Sequence, residues 1–506
     1  MTTPRLRWLV TAAGALTALV LNLDQATILL AIPTISDALD ADLSQTQWIL
    51  SGFLLPLAAL VILGGSLADR FAPVRILQAG LSTFAAGSVV SALASDVAIL
   101  TAARVVAGSG AALAFPASIA ILYRSLDGAE LTVALGAWFS GALTGSAVGP
   151  VIGGLLLRAW PWESVLWMSA GLTVAVLILV TLFVPAERQR SGAPLWLGPN
   201  AVVAVAMALM VWGLIEAGSG GWGSTRALGP VVAGALILAG FAAAGLPRLD
   251  QPSEATRLVA AGLVMMMLAI LSVVGTVFFV ITFMQNVLGY SPLRAGFGLL
   301  PFGVTAAVLA PMGARLIRRH GRMPLVVVAI GCEAAGLIGL SRITPTSTYV
   351  GIGIFLALFG AAMAIFPAVS LDLALSNAPP DRGGVVSGAH AAALQFGQLI
   401  SIAVMGSLVS SWVGGIYRSK LADAGLATEV PGGLVQDLGR GLSSAPSAAS
   451  PGEILRYETI GEIAFTTAVG RAIIFMLGLS AFASIVFVTL LKMPLGRSEM
   501  RATSSR

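Results

Sequence analysis

Charge is what this sequence has least of. Only 10% of its 506 residues are charged, 57% are hydrophobic, and the mean hydropathy is +0.94. Too few charges are available to cover a soluble surface, so the chain reads as an all-α polytopic membrane protein embedded in the lipid bilayer. Cysteine is limited to Cys332, in an apolar stretch, which excludes an intrachain disulfide and any cysteine-rich metal site. Histidine occurs twice and forms no paired-histidine zinc motif. A G-x-x-x-x-G-K-[ST] phosphate loop is also lacking, which excludes an ATP-driven pump in this chain alone. The expectation is a protein that is not an enzyme, uses no cofactor and no metal, and draws on an ion gradient for any transport. The net charge of +5 reports membrane topology rather than a nucleic-acid partner. Arginine greatly outnumbers lysine and alanine is abundant, a bias that points to a GC-rich bacterial genome.

Long apolar runs are plentiful. At about 20 residues per crossing, about fourteen spans are expected. They start near Trp8, Trp48, Val74, Val97, Leu131, Ser164, Pro199, Leu228, Leu258, Gly296, Met323, Tyr349, Gly384 and Ala468. Arg5 and Arg7 precede the first run as they would in a signal peptide, but the run continues to Pro33 and is read as a retained helix. Arg70, Arg75, Arg124, Arg188, Arg190, Arg248, Arg257, Arg319 and Arg322 fall in alternate loops, which places both termini in the cytoplasm. From Trp412 to Thr467 a single long loop is expected on the outside, rich in Ser, Ala and Pro after Ser443. It reads either as a solvated tether or as a cover for an outer vestibule.

One span is unusual. Gly145, Gly149, Pro150, Gly153 and Gly154 give G-x-x-x-G-P-x-x-G-G, a helix that has exchanged stability for close backbone approach and a bend. There is also an internal echo. Gly52 to Arg70 and Phe297 to Arg322 share a Pro-bearing apolar helix that leads into a basic loop, as two repeated bundles around a pathway would.

Polar residues at membrane depth carry the chemistry, since each costs about 2.5 to 3.5 kcal/mol at a helix centre. Asp24 lies about sixteen residues into the first span, or roughly 24 Å from its cytoplasmic end. Arg104 lies roughly 11 Å below the outer surface in the fourth. Similar heights predict a direct pair or a shared hydrogen-bond network, able to load and release a proton or to fix helix register. Glu333 and His390 are further proton-coupling candidates, in the eleventh and thirteenth spans. Gln285, Gln395 and Gln398 are candidate substrate contacts. Met265, Met266, Met267, Phe278, Phe279 and Phe283 line either a permissive pocket or a lipid-facing and core surface.

These residues together resemble the major facilitator superfamily, and within it the fourteen-span drug:proton antiporter branch. Gly145 to Gly154 resembles its fifth-helix antiporter signature. Leu100 to Ala112, with Arg104, Gly108 and Gly110, resembles its fourth-helix signature, with Ala107 at the usual glutamine position. Gly65 to Arg75 is similar to its cytoplasmic loop signature. Gly65, Leu67, Ala68, Asp69 and Arg70 are in place there, while Ala72, Pro73 and Val74 depart from it. Leu23, Asp24, Ala31, Ile32 and Pro33 resemble the first-helix signature of the branch, with Leu29 where asparagine is usual, and Gln285 to Ala295 is likewise similar.

The resemblance implies two six-helix bundles at residues 1–190 and 251–492, two inserted spans at 191–250, and a cytoplasmic tail at 493–506. The second bundle carries the external loop 412–467. Asp69 and Arg70 would then act in a gating loop, and Arg104 in proton transfer. The expected function is proton-driven export of drugs or small amphipathic metabolites by a monomer in a bacterial plasma membrane, its partners being a small-molecule substrate and protons. Proton-coupled uptake and a non-transporting membrane sensor are the alternatives.

Overall fold

The computed structural model is all-helical and describes residues 4–126, 128–185, 197–245, 254–377, 383–426, 437–441 and 451–492. The first half comprises α1 (Pro4–Ala38), α2 (Leu43–Arg70), α3 (Pro73–Ala92), α4 (Val97–Ser125), α5 (Gly128–Ala159) and α6 (Glu163–Phe183). Two inserted helices follow, α7 (Leu197–Gly220) and α8 (Thr225–Gly245), which pack on each other. Gly213 meets the Ala227 carbonyl at their crossing. α7 also packs on α2 and on α16, at the seam between the halves.

The second half is more broken. α9 (Glu254–Leu271) and α10 (Val273–Thr282) form one span interrupted at Ser272 and extended by a π-helical turn, Phe283–Val287. α11 (Pro292–Gly298), α12 (Leu300–Leu309) and α13 (Gly313–His320) follow one another closely, and then α14 (Arg322–Leu340), α15 (Tyr349–Ser376), α16 (Gly383–Asp423) and α17 (Pro451–Lys492). Among the described residues twelve helices are long and apolar enough to cross a membrane. α3 and the shorter apolar helix Thr225–Gly240 complete the expected fourteen.

The expected loop at 412–467 is much shorter than its apolar pattern implies, because α16 runs to Asp423 and α17 begins at Pro451. Hydropathy ends where Arg418, Lys420 and Arg456 begin, but helical backbone bonds do not need an apolar face. At 41 residues α16 is about 60 Å long, twice the thickness of the hydrocarbon core. Ser443 to Ser450 lie outside the described residues.

Small residues set the packing, as expected where lipid is as apolar as the side chains it competes with. Gly141, Gly145, Gly149 and Gly153 form a four-residue stripe on α5 that lies along α1. Gly141 faces the Ala15 carbonyl, Gly145 the Leu19 carbonyl, and a Cβ at Gly149 would sit 2.6 Å from that of Ala26. The stripe is therefore a seam within the first half. Gly154, on another face, meets α11 of the second half, where a Cβ would sit 2.5 Å from Leu293 Cα. α4 is held from two sides, with Gly108 against the Phe53 carbonyl of α2 and Gly110 against Phe84 of α3.

Contacts between the halves gather at the end where α1 finishes and α2 starts, which we call the far end. Gly154 sits on Leu293 there, Gly296 on the Pro150 carbonyl, and the Gln47 amide fills the notch left by Gly406. Met266, Phe279 and Phe283 are fully buried, so the Met and Phe residues at these positions form core.

Candidate functional site

α1 and α4 bring Asp24 and Arg104 together. Arg104 Nη1 donates to Asp24 Oδ2 at 3.0 Å, with the two side chains 2% and 0% exposed. The guanidinium also lies over the Phe53 ring of α2, 4.3 Å from its centroid. Glycine makes the room: Gly52 faces Thr101 and Arg104, whose Cβ would be 3.7 Å from a Cβ at that position. The Thr27 hydroxyl donates to the carbonyls of Leu23 and Asp24, and Gly149 and Gly153 of α5 press on this same turn of α1. The glycine stripe thus fixes the helix segment that carries the carboxylate.

The pair is only partly satisfied. Asp24 Oδ1 and Arg104 Nε are buried with no hydrogen-bond partner. A buried ion pair repays its desolvation only when its remaining polar atoms are also bonded, so this one is a weak contributor to stability. Phe53 gives the cation a second partner that does not depend on the carboxylate.

Glu333 on α14 sits in a different setting. Ser272 Oγ donates to its Oε1 and Ser480 Oγ to its Oε2, each at 2.7 Å. Ser272 stands at the break between α9 and α10, so Glu333 ties that interruption to α17. Removal of the carboxyl orphans the buried Ser480 hydroxyl, at about 1 to 3 kcal/mol, and leaves Ser272 only the longer bond to the Ala269 carbonyl at 3.2 Å. We expect Glu333→Ala to lower the thermal unfolding midpoint of the purified protein by several degrees and Glu333→Gln, which keeps both bonds, to retain most of it. Equal midpoints for the two variants would remove the structural part of this account.

His390 on α16 is buried, with Nε2 2.7 Å from the Ser370 hydroxyl of α15. Gln395 is buried with Oε1 unpartnered, and Gln398 is half-buried. Gln285 ties the halves at the far end instead, Nε2 donating to the Leu30 carbonyl of α1 at 2.9 Å. Gly65 lies near Pro116, and Arg70 is exposed beside the Phe71 ring. The side chain of Asp69 lies outside the described residues. Arg124 braces the same segment by donating to the Ala68 carbonyl at 3.0 Å. Asp24, Glu333 and His390 thus belong to separate sites, and no hydrogen bond joins them among the described residues.

Sequence reading missed Phe53, Ser272, Ser480 and Arg440. The first three carry no signal of their own in a membrane helix. Arg440 fell in a segment read as loop.

Residues 14–402 match the family model described as Major Facilitator Superfamily. The tetracenomycin C resistance and export protein of Streptomyces glaucescens is 32% identical over 452 residues, which cover 88% of this chain and 84% of that one. The multidrug resistance protein Stp of Mycobacterium tuberculosis is 27% identical over 83% of this chain and 79% of its own length. Among solved structures, a bacterial homologue of the human lysosomal transporter Spinster, inward-facing and unoccupied, superimposes with a TM-score of 0.64. The match covers 98% of this chain and 100% of that one at 16% identity, which shows the fold.

Proposed function

Since this chain belongs to the Major Facilitator Superfamily and is related to drug-resistance and export proteins, we propose that it carries small amphipathic compounds out of the cytoplasm in exchange for protons. The observation that carries this reading is the buried Asp24–Arg104 pair, 3.0 Å long and backed by Phe53.

On this reading the arginine-rich loops and both termini lie in the cytoplasm of a bacterial cell, and the far end is the outer face. With the halves in contact there and the Asp24–Arg104 pair intact, this reading takes the state described as the one closed to the outside. When the halves rock and open outward, a proton from outside neutralises Asp24, and Arg104 falls back on Phe53. When they rock inward again, that proton is lost to the cytoplasm and the pair re-forms. Substrate enters from the cytoplasm against this exchange. Gln395, with an unsatisfied buried oxygen, and Gln398 on the same helix are its polar contacts.

Purified protein in liposomes with an imposed pH gradient tests the reading. Tetracenomycin C, which the Streptomyces relative is named for exporting, and a fluorescent amphipathic dye are the first probes. Uptake into inside-out vesicles should follow an acid interior and collapse with a protonophore. Movement indifferent to the gradient would rule out the exchange.

A further inference from the structure

Between α16 and α17, the short turn at 437–441 spans the two halves at the far end. Arg440 makes the crossing. Its side chain is 9% exposed, and Nη2 donates to Asp37 Oδ1 at the end of α1 over 2.7 Å. Asp40 and Asp437 stand further off, at 3.9 and 3.7 Å from Nη1. Its main chain belongs to the other half: Asn286 Nδ2, in the π-helical turn after α10, donates to the Arg440 carbonyl at 2.7 Å. The flanking residues are seated as well. Leu438 is fully buried, Gly439 packs on Leu43 of α2, and Gly441, at φ +77°, lies against Phe465 of α17.

The two sets of bonds cannot behave alike. The turn is continuous with the second half by chain and is tied to it through Asn286 and Phe465, so it travels with that half. Separation of the halves at this end leaves Asn286 in place and stretches the bond to Asp37. Ile32, Ser36 and Thr46 of the first half and Phe278 and Thr282 of the second surround this point, and they would be parted by the same motion.

We propose that the Asp37–Arg440 ion pair is a breakable latch that holds the far end of the pathway shut. The physics suits a fastener rather than a rigid bolt. Two ions drawn a few ångströms apart into water are rehydrated and screened, so their attraction is lost early in the swing. The pair therefore favours the closed end by a fixed amount and adds no further resistance once the halves have parted. The inference rests on the alternating-access reading above, but on no proton or substrate.

A single cysteine at Ser36, in a Cys332→Ser background, reports opening. Ser36 is buried and lines the cavity at the seam opposite Phe278 and Thr282 of the second half, so modification requires the halves to part. The labelling rate with a water-soluble maleimide is read on purified protein in detergent, with neither substrate nor a pH gradient present. Failure of proton coupling therefore leaves this result untouched, and failure here leaves coupling untouched. Arg440→Gln, which removes the cation facing all three carboxylates, should speed labelling by about fivefold or more. Asp37→Asn, with Asp40 and Asp437 still present, should give a smaller increase, and Arg440→Lys should stay close to the parent rate. If Arg440→Gln does not purify as a monodisperse protein, Asp37→Asn carries the test with Arg440 in place. Labelling at the parent rate in the uncharged variants, or as fast in Arg440→Lys as in Arg440→Gln, overturns the latch.

Discussion

Asp24→Asn should abolish gradient-driven transport, by about two orders of magnitude or more, the scale on which proton-transfer groups act, while the protein still folds and binds substrate. Asparagine has nearly the volume of aspartate and keeps an oxygen for Arg104 Nη1, so the contact among α1, α2 and α4 survives. What it loses is the capacity to take up a proton. Substrate-induced proton release, read with a pH indicator on purified protein, should disappear with it. Arg104→Ala is a different experiment, since it strands a buried carboxylate at a cost of about 3 to 5 kcal/mol, and its main effect should be on yield. Proton release that persists undiminished in Asp24→Asn would move the coupling site elsewhere, with Glu333 the next carboxyl in line.

The second large effect comes from contrasting two glycines in one signature. Gly154 meets Leu293 of the other half, whereas Gly145 meets the Leu19 carbonyl of its own half. A methyl at either position overpacks a seam, at about 1 to 3 kcal/mol. At Gly145 the penalty applies in every state, since α1 and α5 stay together as the halves rock. Gly145→Ala should therefore lower thermal stability and leave the balance of states alone. At Gly154 the penalty applies only when the far end is closed. Gly154→Ala should then shift the population toward the state open at that end by about tenfold, 1.4 kcal/mol per decade, with little change in unfolding midpoint. Labelling of the Ser36→Cys reporter reads the population and a thermal melt reads the stability. The same response at both positions would show that the stripe and Gly154 do not serve separate seams.

Much of this architecture was legible in the sequence, for identifiable reasons. Span number follows from apolar run length, which the bilayer imposes, so α1 to α8 and their order could be read almost directly. Asp24 and Arg104 stood out because charge at membrane depth is rare, and their heights followed from helical rise alone. That α5 divides its glycines between two partners was not legible, because periodicity states which residues share a face and not which helix lies against it. The break at Ser272 was hidden for a similar reason. A helix interruption that protein covers needs no glycine or proline to announce it when a neighbour such as Ser401, which accepts from the Gly275 N–H at 2.9 Å, satisfies the backbone there. Arg440 was lost with the loop assignment, since its partners Asp37 and Asn286 lie far away in sequence.

Under the proposed proton exchange at Asp24, the Phe53 ring beneath Arg104 lowers the step at which the ion pair parts. A difference of one pH unit supplies 1.36 kcal/mol per proton, less than the roughly 3 to 5 kcal/mol incurred when a buried charge loses its partner outright. A guanidinium left in bare hydrocarbon would make that step steep and the proposed cycle slow. Resting on an aromatic face, which returns about 0.5 to 2 kcal/mol, Arg104 can give up Asp24 at a cost closer to what a modest gradient supplies. On that proposal, one apolar side chain of α2 governs how fast the cycle turns without taking up or releasing a proton itself.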